Sequence, residues 1–577
     1  MRNWHLRGVL GPPLTRRQLL TVSAAFAGAA FLPSCRVREL PDAGPVDSGP
    51  EPARPPVPLD LVRASPIAKV EAPASGFQGD DFTRPHEILW KLESLGQIPA
   101  PRERAELVVV GGGMSGLSAA WRLRQHKPIV LEQSDRFGGN SKGETWNGIT
   151  YSIGAAYLAK PDPADRLSTE FYGPLGVDKA WRVSAEDPVV RGGKQHLGFW
   201  RGTTDPKRKS EFLRTKKYLD QVLHKAYPDI PFESGGDLDE TQLAALDKVS
   251  LRQHLLEKVG QTKKGRAPEL HPHIEIILDH YGWSTFGGGI DELSAAAFLC
   301  AYVAEFDGIC ALPGGNSAIA HRLLEELARS VETTRLRASS LVVRVKTEGE
   351  DVHVTVQDAD GRLYTIAART VVMACPKFVA KKLMPDLPPE QRTAIERIRY
   401  RAYVVANLLL RTPCPAPALD LYLLGDDAPT LDTMAASTRQ RATDVVMGHW
   451  AQGGHPSASV LTLYRPYPYD GGRPLLFVPE AFDSAKKEIQ GQALEILPLL
   501  GLKESAISEV RLSRFGHALN LSEKGLIADG TWARARETVS DRIFFLEQDN
   551  WPAPAIETCF TNALLAESAI KKSLGAG

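Results

Sequence analysis

The stretch AELVVVGGGMSGLSAAWRLRQHKPIVLEQSDRFGGN, running from Ala105 to Asn140, narrows the fold more than any other part of the chain. Leu107 to Val110 form an unbroken apolar run, the pattern of a strand buried on both faces of a parallel sheet. Gly111, Gly113 and Gly116 then satisfy G-x-G-x-x-G. The first glycine permits a tight turn, the second lets backbone approach a pyrophosphate, and the third lets a helix pack close to the strand. A helix is expected from about Met114 to Gln125, with Leu117, Ala120 and Leu123 on one face. Its free N–H groups, those of Met114 and Ser115 among them, and its positive dipole end would meet the pyrophosphate. A second strand, PIVLE, ends at Glu132, which places a carboxylate about 20 residues beyond the first glycine to bond ribose hydroxyls. Strand, loop, helix, strand and acid in this order define a dinucleotide-binding unit.

A hundred residues precede that unit. Arg16 and Arg17 stand before a mildly apolar run, Leu19 to Leu32, that is rich in Ala, Gly and Thr. The run is shorter than the about 20 apolar residues of a membrane-spanning helix. A charged start, a short apolar middle and small residues at the end make an export signal. Thr15 to Leu20, TRRQLL, resembles a twin-arginine leader, which implies the twin-arginine translocase as a partner during export. Leu32 to Cys35, LPSC, resembles a bacterial lipobox, which implies lipidation of Cys35 and a membrane anchor. Ordinary cleavage after Ala27 or Ala29 is the alternative. Residues 1–35 are thus expected to be signal, and 36–81 a Pro-rich spacer, since PDAGPVDSGPEPARPPVP builds no core. FTRPHEILWKLESLG, from Phe82, has helical spacing at Ile88, Leu89, Leu92 and Leu95 and is expected to pack on the domain. The expected location is the periplasm or cell envelope.

Beyond Glu132 the sequence reads SDRFGGN, with Arg136, Gly138, Gly139 and Asn140. Here the chain resembles the flavin-containing amine oxidase superfamily, with protoporphyrinogen oxidases and phytoene desaturases as relatives. That family has Arg-x-Gly-Gly-Arg at this point, and Asn140 stands where it has the closing arginine. Ser152, in GITYSIGAAYL, stands where it has an acid. A second block, Ser339 to Pro376, reads as alternating strands with turns, and resemblance implies that the Val342 backbone holds the adenine. PGGNSAIAHRLLEEL, from Pro313, resembles the family's glycine turn and helix. A third block, DRIFFLEQDNWPAPAIETCFTNALLAESAI, resembles the final flavin motif. On that resemblance Asp549 replaces the family's Glu, and the amides of Ile556, Glu557 and Thr558 face the flavin N1–O2 edge. The implied cofactor is FAD, held without a covalent bond, since no cysteine matches an attachment position.

The expected fold is α/β. A Rossmann-like FAD-binding domain, with a doubly wound parallel sheet and a β-meander, is assembled from 104–164, 311–380 and 511–577. An inserted α+β substrate domain occupies 165–310 and 381–510. His517, in RFGHALN, is a candidate polar guide or proton acceptor, with a structural role as the alternative. Trp450 and Tyr464 are candidates to line the cavity, with core or loop packing as the favoured alternative. The six cysteines form no C-x-x-C or zinc spacing, so buried thiols and no metal site are expected. Lys+Arg 69 against Asp+Glu 69 leaves no basic face for nucleic acid. The function implied is an exported oxidoreductase that moves a hydride from a small amine or C–C substrate to flavin N5. Two alternatives stay open: a flavin-dependent isomerase or mutase without net oxidation, and a non-catalytic FAD-binding envelope protein.

Overall fold

The nucleotide unit begins at β1, Pro101–Val110, whose last four residues are buried on both faces. Four apolar side chains here, each contributing about 1.5–3 kcal/mol on burial, set this strand at the centre of its sheet. The structure, a computed structural model, describes residues 59–575 except 185, 225–238, 262–266, 306–307, 426–440 and 454–456. The export signal, Cys35 and the spacer to residue 58 lie outside the described residues.

Helix α1, Met114–Arg122, follows the glycine loop, and β2, Ile129–Leu131, returns parallel to β1. On the far side of β1 lies β3, Leu363–Met373, also parallel. Its second half pairs in parallel with β4, Ile543–Phe545. Its first half turns into an antiparallel meander with Asp351–Gln357 and Leu341–Glu348. Leu336–Arg337 extends the parallel edge beside β2. Helix α2, Ile556–Ser573, lies against α1, with Phe560 stacked on Phe171 at 4.5 Å. A parallel sheet with its meander and packed helices gives the α/β architecture that the sequence implies.

A second sheet has eight strands. Its long central members are Ser459–Tyr467, Tyr400–Leu410 and Ile507–Asn520, all antiparallel neighbours. Helices Lys209–His224, Pro272–Phe286 and Ala295–Glu305 come from the 165–310 insertion. Arg511 ties this sheet to a third, three-stranded one, Ile67–Lys69, Gly143–Trp146 and Ile149–Ser152: its guanidinium grips both oxygens of Glu144, at 2.8 and 2.7 Å, in a buried setting.

One expectation needs correction. The spacer read over 36–81 ends by Leu59, because residues 59–81 fold onto the domain. Ile67–Lys69 pairs with Gly143–Thr145, and Gln78–Gly79 pairs with Ser513–Arg514. The Ala64 and Pro66 carbonyls accept the N–H groups of Phe137 and Gly143, both at 3.0 Å. The segment is poor in apolar periodicity because it borrows backbone hydrogen bonds from existing strands instead of burying a face. The helix expected after Phe82 is present as Thr83–Leu89, and Arg84 donates to the carbonyls of Ser339 and Gln357 at 3.1 and 2.8 Å. Among the described residues no helix is long and apolar enough to cross a membrane, and no group of three His, Cys, Asp or Glu could hold a metal. None of the five described cysteines is in a disulfide, and four of them are buried.

Candidate cofactor and substrate site

The parallel strands all point their carboxyl ends at one crevice, where ligands of open α/β sheets bind. Gly111 has φ +112, and a Cβ there would lie 2.4 Å from the Ala374 carbonyl oxygen. A Cβ on Gly116 would lie 1.9 Å from the Gly111 oxygen, so α1 can approach its own loop only through glycine. Gly113 differs: a Cβ there meets nothing nearer than Gly139 at 3.6 Å. The second glycine is thus the least crowded of the three, with only ordinary van der Waals contact to the second glycine loop.

The second glycine loop lies directly against the first. The Gly138 N–H donates to the Gly112 carbonyl at 2.9 Å, and Gly113 and Gly138 form a parallel bridge. The third turn closes on the same place. Asn140 accepts the Ala155 N–H at 3.0 Å through its carbonyl. Ser152, at the family's acid position, accepts the Gly154 N–H at 3.1 Å and donates to the Ala155 carbonyl at 2.7 Å. A hydroxyl thus holds the turn from both sides. Gly315 packs on this turn, its would-be Cβ 2.6 Å from the Ala156 oxygen.

Glu132 is buried, its oxygens accepting the N–H groups of Gly112 and Ser134, both at 2.8 Å. Each oxygen keeps a lone pair for a further donor. Ser340 donates its N–H to the Glu132 carbonyl at 2.7 Å, which brings the Val342 strand alongside. Arg136 is half-buried; burial pulls its pKa down, and it feels Glu144 and Asp135 only as charges, bonding neither. Lys142, which sequence reasoning missed, is buried with its Nζ 3.3 Å from Ser134 Oγ and adjoins Glu132 and Arg136. Its position two residues after Asn140 is the signal that could have found it: a cation here offsets the charge Asn140 lacks.

In the C-terminal block the structure separates two carboxylates. Asp549 is enclosed: it accepts the Lys377 N–H at 2.7 Å, Lys377 Nζ at 2.8 Å and the Tyr400 hydroxyl at 2.6 Å. Lys377 also bonds Asn550 and is fully buried. Glu547 is the half-buried carboxylate beside Ser115, at the crevice. Burial and the charge of Asp549 hold its pKa up. α2 starts without a side-chain cap, as does α1, so both leave N–H groups unmet by side chains at the crevice. Ile556 and Thr558 are buried there, Thr558 bonding the Ala553 carbonyl at 2.7 Å. Glu557 is raised in pKa by burial and accepts the Ala159 N–H at 3.0 Å, tying the start of α2 to the chain after the third turn.

His517 lies on Ile507–Asn520 of the second sheet. Its ring stacks on Phe378 at 3.8 Å, and its Nε2 meets Arg473 at 2.6 Å, so it accepts from the guanidinium. Burial and the charge of Arg473 push its pKa down to about 3. Tyr464, read from sequence as a cavity-lining or packing residue, donates its hydroxyl to the Gly154 carbonyl at 2.9 Å. Trp450 is buried.

The donor set fits FAD. It offers an uncrowded glycine at Gly113, two uncapped helix starts, a half-buried arginine without a bonded partner, and a carboxylate with free lone pairs. These features define a dinucleotide-binding α/β protein with a second sheet over the crevice. The model of the flavin containing amine oxidoreductases matches residues 114–490, and the chain belongs to that family of flavin-dependent oxidoreductases. Oxidoreductase PigB of Serratia sp. (strain ATCC 39006) is 23% identical over 516 residues, 81% of this chain and 75% of that protein. Flavin-containing amine oxidase A of Bos taurus is 24% identical over 335 residues, 54% of this chain and 58% of that protein. The chain thus spans little more than half of that relative. Cyclohexylamine oxidase from Brevibacterium oxydans IH-35A has the same fold, with a TM-score of 0.58 at 16% identity, covering 81% of this chain and 99% of that chain.

Proposed function

We propose that the protein is an exported FAD-dependent oxidase or dehydrogenase that oxidises a small amine or a C–C bond, with FAD held non-covalently. The observation that carries this is the meeting of three loops, Gly111–Gly116, Arg136–Asn140 and Ser152–Ala156, at the carboxyl ends of the parallel strands. Bound there, the flavin supplies a two-electron acceptor that takes a hydride at N5.

The chain's own residues hold and shield. Glu132 accepts ribose hydroxyls. Gly113, the first amides of α1 and Arg136 meet the pyrophosphate, with Lys142 adding positive charge behind them. Glu547 faces the ribityl hydroxyls, and the first amides of α2 favour negative charge at the flavin edge. The second sheet covers the crevice through Tyr464 and the Arg511–Glu144 pair and excludes water.

The test is an absorbance spectrum of the purified protein, acid release of a yellow supernatant, and anaerobic bleaching by a panel of amines and unsaturated compounds. Colourless protein that takes up no added FAD overturns the reading. Product formed without bleaching or any acceptor would indicate an isomerase. Export is supported by the leader pattern of residues 14–35. With Arg16→Lys and Arg17→Lys, FAD-loaded precursor should remain in the cytoplasm. Normal amounts outside the inner membrane would exclude the leader.

A further inference from the structure

Residues 59–90 form a strap with three anchors, each on a different part of the cofactor site. The first anchor is the second glycine loop. The Ala64 and Pro66 carbonyls accept the N–H groups of Phe137 and Gly143, and a Cβ on Gly138 would lie 3.1 Å from Pro66 Cβ. Leu61 and Ala64 belong to the core that packs α1. The second anchor is the upper sheet. Gln78–Gly79 pairs with Ser513–Arg514, the Asp80 N–H donates to the Arg514 carbonyl at 2.9 Å, and the Asp80 carboxylate accepts the Gly516 N–H at 2.9 Å. Phe77 meets Phe482 edge-to-face at 5.3 Å. The third anchor is the meander. Arg84 donates to the carbonyls of Ser339, Gln357 and Asp358 at 3.1, 2.8 and 2.5 Å. Ser339 and Ser340 in turn donate their N–H groups to the Ser134 and Glu132 carbonyls, both at 2.7 Å, so Arg84 holds the support of the ribose acid.

Between its ends the strap is held lightly. No residue from Ile67 to Ile88 is fully buried. A segment fixed by edge hydrogen bonds, with little apolar surface covered, opens at lower cost than the sheets it pairs with. One cation joins it to the ligand side: Lys142 adjoins Asp80 of the strap as well as Glu132 and Arg136. The acid of the strap and the acid of the ribose site thus share a positive charge.

We infer that the strap is part of the cofactor site: a latch that holds the second glycine loop and the meander around FAD, lifts to let FAD pass, and sets how fast FAD leaves. The inference rests on the flavin reading and adds to it Ala64, Pro66, Asp80 and Arg84 as positioning residues, each acting through the loop or strand it holds. Such coupling is reciprocal: a strap that retains FAD is itself held down by FAD to the same degree.

Both directions can be measured on the purified full chain. Lys69 is exposed, but the Val70 N–H donates to the Thr145 carbonyl at 3.0 Å, so trypsin cuts after Lys69 only when this strand lifts. The appearance of chain beginning at Val70, followed by mass spectrometry, should slow about tenfold when apoprotein is loaded with FAD. A strap with a merely structural role would be cut at one rate with and without FAD. In the other direction, two variants each remove one anchor. Arg84→Ala loses the meander carbonyls, and Gly79→Val places a Cβ 2.6 Å from the Arg514 carbonyl oxygen. Each should keep the wild-type circular dichroism and release FAD about tenfold faster, read as the rise of free-flavin fluorescence on dilution. Cutting at Lys69 that ignores FAD in protein shown to be yellow overturns the latch alone. So does wild-type FAD release from both folded variants. Protein that takes up no FAD removes the flavin reading and the latch together, and the spectrum shows this before any protease is added.

Discussion

The cofactor crevice and the sheet above it are built from opposite materials. The crevice is made of backbone: glycines that let two loops touch, carbonyls that fix turns, and helix starts left uncapped. Its charge is positive where Arg136 and Lys142 gather. The face above is made of side chains, Asp444, Tyr464, Tyr403 and Asn407, delivered by strand register. A site of backbone is conferred by short local patterns and tolerates changed neighbours, as Ser152 and Asn140 show. A site of register depends on strands far apart in sequence. The first is legible in one short stretch of sequence, and the second only once distant strands are paired.

The largest effect should come from the glycines, and it splits them. Gly116→Val places atoms against the Gly111 oxygen, 1.9 Å from the first added carbon, so folding itself should fail. Gly113→Val meets only Gly139 at 3.6 Å, so the fold should survive while the cradle fills and FAD is lost. Flavin-to-protein ratio after gel filtration, with circular dichroism on the same fractions, separates the two. Equal loss of secondary structure in both variants would break the view that Gly113 serves the ligand alone.

Next is the buried pair behind the crevice. Removing one partner of such a pair costs about 3–5 kcal/mol because the other charge is left unmet. Lys377→Met should therefore lower stability in urea by that amount, and adding Asp549→Asn should recover most of it. If the single variant loses under about 1 kcal/mol, the pair is not the enclosed structure that its 0% and 1% side-chain exposures describe.

The same pair shows what the sequence could and could not reveal. Gly111, Gly113, Gly116 and Glu132 were readable because each acts within one strand–loop–helix unit, where spacing is geometry. The third block was readable as a motif, but it offered two acids two residues apart. The structure pairs Asp549 with Lys377, 172 residues away, and sets Glu547 beside Ser115. Nothing local distinguishes them. The placing of Asp444 beside Tyr464 is invisible for the same reason, since it exists only through the register of Tyr422 with Asp444 and of Asp444 with Tyr464. The segment from Leu59 reads as spacer because Pro, Gly and Ala build no core, while its two short strands need only a free edge to pair with. Eight-stranded closure over the crevice follows from long-range pairing that composition does not encode.

Smaller effects should follow at the two polar anchors of the crevice. Glu132→Ala removes a charge-assisted bond to the ribose worth about 1.5–3 kcal/mol, or roughly 10- to 150-fold in FAD affinity. Ser152→Ala removes one donor and one acceptor from the turn and should weaken FAD by about fivefold, on the order of 1 kcal/mol. Fluorescence titration of apoprotein with FAD measures both. Ser152→Asp should not improve on the serine: it can accept the Gly154 N–H, but it cannot donate to the Ala155 carbonyl, and it buries a charge. Tighter FAD binding in that variant would show that the family's acid does something the hydroxyl does not.

The smallest effect is at His517, and its sign distinguishes a packing residue from a proton acceptor. Burial and Arg473 push its pKa down to about 3, so the ring is neutral throughout the working range. The unfolded chain, with a pKa of about 6.5, binds a proton that the folded chain refuses. A depressed histidine therefore contributes stability above about pH 6.5 that is lost as pH falls toward 3, by at most about 1.4 kcal/mol per unit. His517→Gln keeps an acceptor for Arg473 and cannot titrate. Between pH 7 and pH 5 the wild type should lose stability more steeply than the variant, while the two should show the same pH dependence of kcat/KM. If the variant instead loses a limb of the kcat/KM profile near pH 6, His517 takes a proton during turnover, and a side chain of the upper sheet shares the chemistry of the crevice below it.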